Sequence, residues 1–119
     1  MVNQGDIYYV EDLSAINRFP CNLKGLHPVI VMSNNKNNKN CSFVDVVPLT
    51  SRVKKAYLPT HVWITREDCP ELKCNSQFVG ELYQAIGIED LKEENYIGSI
   101  VKSDLMEKFG NAIISHITN

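Results

Sequence analysis

The sequence predicts a mainly β protein, a small and strongly bent antiparallel β-barrel closed by one C-terminal α-helix. Five or six short runs alternate in polarity or are rich in β-branched residues, and each is bounded by Gly, Pro, Asn or Ser. Only the last segment changes to a helical period. The chain of 119 residues matches one domain, residues 1–119, since domains commonly run ~100 to 150 residues and this length can bury a core. Runs of strands followed by one helix, with no internal repeat, favour a barrel over an alternating α/β sheet.

The elements follow in order. "GDIYYVEDL" alternates after Gly5 and gives a first strand over 7–10, with Ile7 and Tyr9 on one face and Tyr8 and Val10 on the other. "SAINRFPCNLKG" lacks periodicity and holds Pro20 and Gly25, which makes it a long loop of the kind that is usually functional. "PVIVMS" is too short for an independent helix and reads as a central strand, and the polar "NNKNNKN" as the tip of a hairpin. "SFVDVVPLTS" is the third strand, ending in Thr50 and Ser51, and the basic "RVKKAYLP" is another loop. "THVWIT" alternates. "QFVGELYQAIGI" reads as one long strand with Phe78, Leu82, Ile86 and Ile88 on one face and Glu81 and Tyr83 together on the other, and "YIGSI" is the last strand. In "SDLMEKFGNAIISHIT", Leu105, Phe109, Ala112, Ile113, His116 and Ile117 share a stripe, with Ser103 as the expected N-cap and Asp104 at the positive helix end.

Composition excludes several classes. A hydrophobic share of 44% and a charged share of 22% are globular values, which leaves no room for a disordered or fibrous reading. No apolar run approaches the ~18 to 20 residues that cross a bilayer, and the opening "MVNQGDIYYVED" has no basic leader, so the expectation is a cytoplasmic protein without a membrane partner. The net charge of −2 hides an asymmetry: residues 1–60 carry seven basic and four acidic side chains, residues 61–119 five and ten. The basic groups Arg18, Lys24, Lys36, Lys39, Arg52, Lys54 and Lys55 fall in predicted loops, a surface suited to phosphate or simply solvated. Cys21, Cys41, Cys69 and Cys74 lack paired metal-ligand spacing, so neither a metal site nor a disulfide framework is expected and the thiols should be reduced.

Chemistry has one focus. In a twisted sheet the loop after the first strand and the ends of the second and third can converge, gathering Arg18, Lys24, His27, Thr50 and Ser51. An imidazole exchanges protons near neutral pH, two hydroxyls donate hydrogen bonds, and Arg52 adds permanent charge. These types suit a phosphodiester whose transition state gathers negative charge on its non-bridging oxygens, and exposed tyrosines or Trp63 would stack bases of single-stranded RNA. The plainer readings stand beside this one: His27 as a polar cap on the bend before Pro28, Thr50 and Ser51 as turn residues, Glu81 as a solvent-facing charge, Tyr83 as core or dimer surface, and His116 as a packing histidine.

The ordered set "QGDIYYVEDL", "GLHPVIVMSNN", "VDVVPLTSRVKKAYLPTHVWI" and "ELYQAIGIEDLKE", followed by a helix, resembles the MazF/PemK/Kid family of type II toxins along nearly the whole chain. Its most specific parts are Gly5-Asp6-Ile7, the Gly25 and Pro28 spacing, Pro48-Leu49-Thr50-Ser51 and Leu58-Pro59-Thr60-His61-Val62. The resemblance implies an SH3-like, CcdB/MazF-like barrel, a homodimer, and a cognate antitoxin with an acidic C-terminal tail. It also implies cofactor-free, metal- and ribosome-independent cleavage of single-stranded RNA, in which the substrate's 2′-OH attacks phosphorus to leave a 2′,3′-cyclic phosphate and a 5′-OH. Thr50 and Ser51 match the strand-end hydroxyl pair and Gln84 a glutamine of the fifth-strand motif, so the expected catalytic set is His27, Thr50 and Ser51. The expected RNA contacts are Arg18, Lys24, Arg52, Glu81, Tyr83 and Gln84. The chain departs from the pattern at His27 and Ile86, where the family usually has arginines, and at Lys24, where it usually has an acid. These departures keep two alternatives open: a gyrase-poison-like binding protein of the same barrel, and a degenerate toxin that retains only antitoxin binding.

Overall fold

The computed structural model describes residues 1–11, 26–51 and 58–118, so most of the two expected loops, with Arg18, Cys21, Lys24 and Arg52, lies outside the described residues. The elements are β1 (Asp6–Glu11), β2 (Leu26–Val31), α1 (Asn35–Asn40), β3 (Phe43–Thr50), β4 (His61–Ile64), β5 (Ser76–Val79), β6 (Gln84–Gly87), β7 (Tyr96–Ser99) and α2 (Ser103–Ile117). The strands form a single antiparallel sheet in the order β4-β5-β3-β2-β1-β7, with β6 also paired to β3. β3 gives its first half, Phe43–Val46, to β6 and its last two residues to β5. This change of partner along one strand curls the sheet into the half-barrel that the sequence predicts.

Both faces of the sheet are covered, and strand alternation decides which side chain goes where. Ile7, Ile30, Val47, Leu49 and Phe78 face α2, which contributes Leu105, Phe109 and Ala112 to the same cluster. The Phe78 and Phe109 rings stack with centroids 4.3 Å apart and planes 13° apart, fixing the helix to β5. Tyr8, Val10, Val29, Val31, Val44 and Val46 occupy the opposite face under Val2 and Leu91. Gly5 joins the sheet ends: with φ of +92° it donates from N to Val31 O at 2.8 Å and accepts at O from Ile100 N at 2.9 Å. A Cβ there would run into Ile100 O.

Four local expectations are corrected. The asparagine-rich stretch is a short helix, not a bare hairpin tip. Asn34 caps it by accepting from Asn37 N at 2.9 Å, and buried Asn38 accepts from Ser33 Oγ at 2.6 Å and donates to Ser33 O at 3.0 Å. The long alternating segment breaks at a 3₁₀ turn, Gly80–Leu82, where Gly80 N reaches Thr60 O at 2.8 Å and any Cβ would press on Thr60 O. Phe78 therefore faces α2 while Leu82, Ile86 and Ile88 pack on the other face. The N-cap of α2 is Lys102 rather than Ser103, with no side-chain cap. The apolar stripe of α2 stops at Ile113: His116 is exposed and Ile117 is 76% exposed. Cys41, Cys69 and Cys74 are free thiols. Among the described residues no helix is long and apolar enough to cross a membrane.

Candidate active site

The pairing of β2 with β3 builds the site. Val29 pairs with Pro48, Ile30 with Val47 and Val31 with Val46. The ladder ends at Val29 and Pro48, and His27 and Thr50 stand two residues beyond that end on their strands. β1 supplies Val10 opposite His27, and β5 supplies Gln77 opposite Thr50. Cross-strand partners project from the same face, with Cβ atoms ~4.5 to 5.5 Å apart in a regular ladder. His27 and Thr50 thus lie on one face, that of Val29 and Val31 and away from α2, just past the end of the β2–β3 ladder. Both are half-buried and engaged in interactions, and Ser51 beyond them is exposed.

Local sequence explains the placement. Pro28 pairs with Tyr9 and holds the chain extended, so His27 before it continues the strand and does not turn away. Thr50 is the last residue of β3, and a β-branched hydroxyl residue suits a strand that ends at a rim. Gln84 stands on the same face, opposite Val46. Four residue steps along β3 lead from Val46 to Thr50, roughly 13 Å at ~3.3 Å per step. Its Nε2 is buried, and among the described residues no hydrogen-bond acceptor meets it.

Glu81 and Tyr83 are held elsewhere and do not face one way together, because Glu81 lies within the 3₁₀ turn and Tyr83 follows it. Tyr83 is hydrogen-bonded to Asp45, which pairs with Ala85 on the other face of β3; burial, then that bond and the Asp45 charge, push the phenol up to about 12. Glu81 Oε2 lies 2.7 Å from His61 Nε2 on β4. Burial raises the Glu81 carboxyl, but the bonds from His61, its own backbone N–H and Thr60, with the His61 charge, outweigh it and hold the group below its ordinary 4.5. His61 also lines a groove of about 570 Å³ between β4 and α2, with Pro59, Trp63, Lys108, Asn111 and Ser115.

Three functional-looking positions escape a sequence reading: His61, whose carboxylate partner is 20 residues away, Asp45, and Gln77. Only Gln77 carried a visible signal, a glutamine in a strand that is otherwise apolar or small. Among the described residues no three His, Cys, Asp or Glu side chains are grouped to hold a metal ion.

A curled antiparallel half-barrel backed by one C-terminal helix, with a histidine and a strand-end threonine on one face of the sheet, defines a small mainly β protein. The chain belongs to the family of PemK-like, MazF-like toxins of type II toxin-antitoxin systems, whose pattern matches residues 3–117. Its fold is similar to that of an endoribonuclease solved in complex with its cognate antitoxin from a mycobacterial species, at TM-score 0.76 and 22% identity over 98% of this chain and 95% of the other. A Mycobacterium tuberculosis MazF toxin superposes at TM-score 0.70 and 20% identity over 94% and 95% of the two chains. A MazF solved with MazE from Deinococcus radiodurans superposes at 0.70 and 13% identity over 98% and 94%.

Proposed function

We propose that this toxin is an endoribonuclease that cleaves single-stranded RNA at the rim carrying His27, Thr50 and Ser51. The observation that carries the reading is that strand alternation in β2 and β3 puts an imidazole and a hydroxyl, both half-buried, on one face just past the end of their ladder. The likeness to solved endoribonucleases of the same fold supports it. The substrate's 2′-oxygen bonds to the neighbouring phosphorus while the bond from phosphorus to the 5′-oxygen breaks. The 2′-OH proton leaves to a base and the 5′-oxygen takes a proton, giving a 2′,3′-cyclic phosphate and a 5′-OH. His27 moves a proton in this exchange, and Thr50 and Ser51 donate to the non-bridging oxygens as their charge grows. No metal or other cofactor enters the scheme. Gln84, with its unmet buried donor, meets the RNA further along the face. Arg18, Lys24 and Arg52, outside the described residues, are assigned phosphate contacts by their charge. Glu81 and Tyr83, bound elsewhere, are assigned to shaping the turn that carries Gln84.

The working unit is a single domain acting as a cytoplasmic homodimer, and the partner is a cognate antitoxin whose acidic tail competes with RNA for the basic half of the chain. The test is incubation of purified protein with a long unstructured RNA in excess EDTA, beside His27→Ala and Thr50→Ala. Discrete cuts with cyclic-phosphate ends, lost in both variants, support the reading. Intact RNA over a wide range of folded protein overturns it. One observation favours a second reading, a protein-gripping toxin of the gyrase-poison type: Ile114 and Ile117 of α2 and Trp63 of β4 are exposed large apolar side chains. Inhibition of DNA supercoiling with RNA left whole would select it.

A further inference from the structure

Trp63 is the one tryptophan of the chain and is 45% exposed. Strand pairing lines it up with the candidate site: Thr50 pairs with Gln77, and Gln77 pairs with Trp63. Two inter-strand spacings of ~4.8 Å put Trp63 roughly 10 Å from Thr50, too far to share its phosphate and within reach of a neighbouring nucleotide. Trp63 also lines the groove of about 570 Å³ between β4 and α2. Val62 and Ala112 give that groove an apolar part, and Lys108 and Asn111 bring an exposed ammonium and an exposed carboxamide from the helix.

Among the described residues no hydrogen bond, ion pair or ring contact occupies the Trp63 indole, the Asn111 carboxamide or the Lys108 ammonium. The other polar groups of the groove are spent within the protein: Ser115 Oγ donates to Ala112 O at 2.7 Å, and His61 Nε2 is held by Glu81. A ring face, a carboxamide and a cation are the groups that single-stranded RNA binding uses. Bases stack on rings, their edges hydrogen-bond to amides, and the backbone is drawn to positive charge. The exposed Ile114 and Ile117 do not line the groove. Its helix side is therefore the polar stripe Lys108, Asn111 and Ser115, which suits a nucleotide better than an apolar protein surface.

We propose that this groove is a subsite for a nucleotide next to the scissile phosphate, its base stacked on Trp63 and hydrogen-bonded by Asn111, its phosphate drawn to Lys108. The inference deepens the ribonuclease reading and rests on it for the position of the scissile phosphate, while the binding of single-stranded RNA over Trp63 is read without any cleavage.

Because Trp63 is the only tryptophan, its fluorescence, excited beyond the absorption of tyrosine, reports on the groove in the full chain. The probe is a long unstructured 2′-O-methyl RNA, which has no free 2′-OH and is not cut, and its binding is followed separately by the anisotropy of an end label. Trp63 emission should be quenched in step with the anisotropy, as a base stacks on the ring. Trp63→Ala should weaken binding by about 5- to 150-fold, the loss of one stacked base, and Trp63→Phe should recover part of it. Lys108→Ala should reduce the slope of log affinity against log salt by ~0.7, as for one phosphate contact on a single strand. RNA that binds and is cut with Trp63 unquenched, or that binds Trp63→Ala as it binds the wild type, overturns the inference and leaves the ribonuclease reading standing. Quenching by the probe, with ordinary RNA of the same sequence left whole, upholds the subsite and overturns the ribonuclease reading. No binding by the folded protein overturns both and leaves the groove to the protein-gripping reading. If Trp63→Ala does not fold, quenching in the wild type and the salt slope of Lys108→Ala decide.

Discussion

Glu81 Oε2 accepts a hydrogen bond from His61 Nε2 across 2.7 Å, tying the 3₁₀ turn after β5 to the first residue of β4. The contact ties down an edge: among the described residues β4 pairs with β5 alone, and α2 packs beside both the turn and β4. The His61 side chain is 5% exposed and that of Glu81 29%, so the pair is shielded on one side and wet on the other.

Replacing the carboxylate should expose this role through pH. Glu81 titrates below its ordinary 4.5 in the fold, so the stability it contributes is present above that value and is lost as pH falls through the lower folded value. Glu81→Gln should lower stability at pH 7 by about 1 kcal/mol, a figure reduced for the partial exposure of the pair. The gap between variant and wild type should close as pH drops below 4.5. Urea unfolding at a series of pH values measures it, and a gap constant down to pH 3 would reject the assignment.

The Tyr83 phenol, held by Asp45 and pushed up to about 12, gives the alkaline counterpart. A raised folded value means that the native state keeps a proton the unfolded chain has released. Stability should therefore begin to fall above the ordinary 10.0 and go on falling until about 12. Ultraviolet titration of phenolate should show this tyrosine ionising late, and Asp45→Asn should return it toward 10.0, since both the hydrogen bond and the charge act in the same direction.

The stacked pair Phe78 and Phe109 predicts the largest loss of stability. Both rings are fully buried, and their contact is the main aromatic link between β5 and α2. Phe109→Ala should cost ~3 to 5 kcal/mol, the usual range for an aromatic removed from a packed core. Phe109→Leu should cost less because most of the volume remains. Thermal and denaturant melts of the two variants check the order.

How far the sequence carries can be argued from these residues. Strand alternation placed Ile7 against Tyr8 and Val10, and the helical stripe found Leu105, Phe109 and Ala112, because both signals are local and periodic. The polar run 34–40 misled because asparagine is a turn former in general; here Asn34 and Asn38 spend their side chains on capping and on Ser33. The 3₁₀ turn at Gly80 was hidden since alternation continues through it in letters while the backbone rotates. His27 and Thr50 were legible as residue types at strand ends. That both fall just past the same end of one ladder was not, because register between β2 and β3 depends on the length of chain that α1 takes up.

His27 and Thr50 yield the most direct functional prediction. If His27 moves a proton in the cleavage step, His27→Ala should slow cleavage of single-stranded RNA by ~10² to 10⁴. Product ends should remain cyclic phosphates, because the attacking 2′-OH belongs to the substrate. The pH–rate profile of the variant should lose one limb. Thr50→Ala should slow the reaction yet keep both limbs, because a hydroxyl that steadies non-bridging oxygens does not titrate in the working range. Binding of a non-cleavable RNA carrying 2′-deoxy sugar at the scissile position should change by less than about threefold in either variant if both residues act chiefly in the transition state. Cleavage by His27→Ala within a few-fold of wild type would remove the imidazole from the mechanism and reduce His27 to a polar residue at the bend before Pro28.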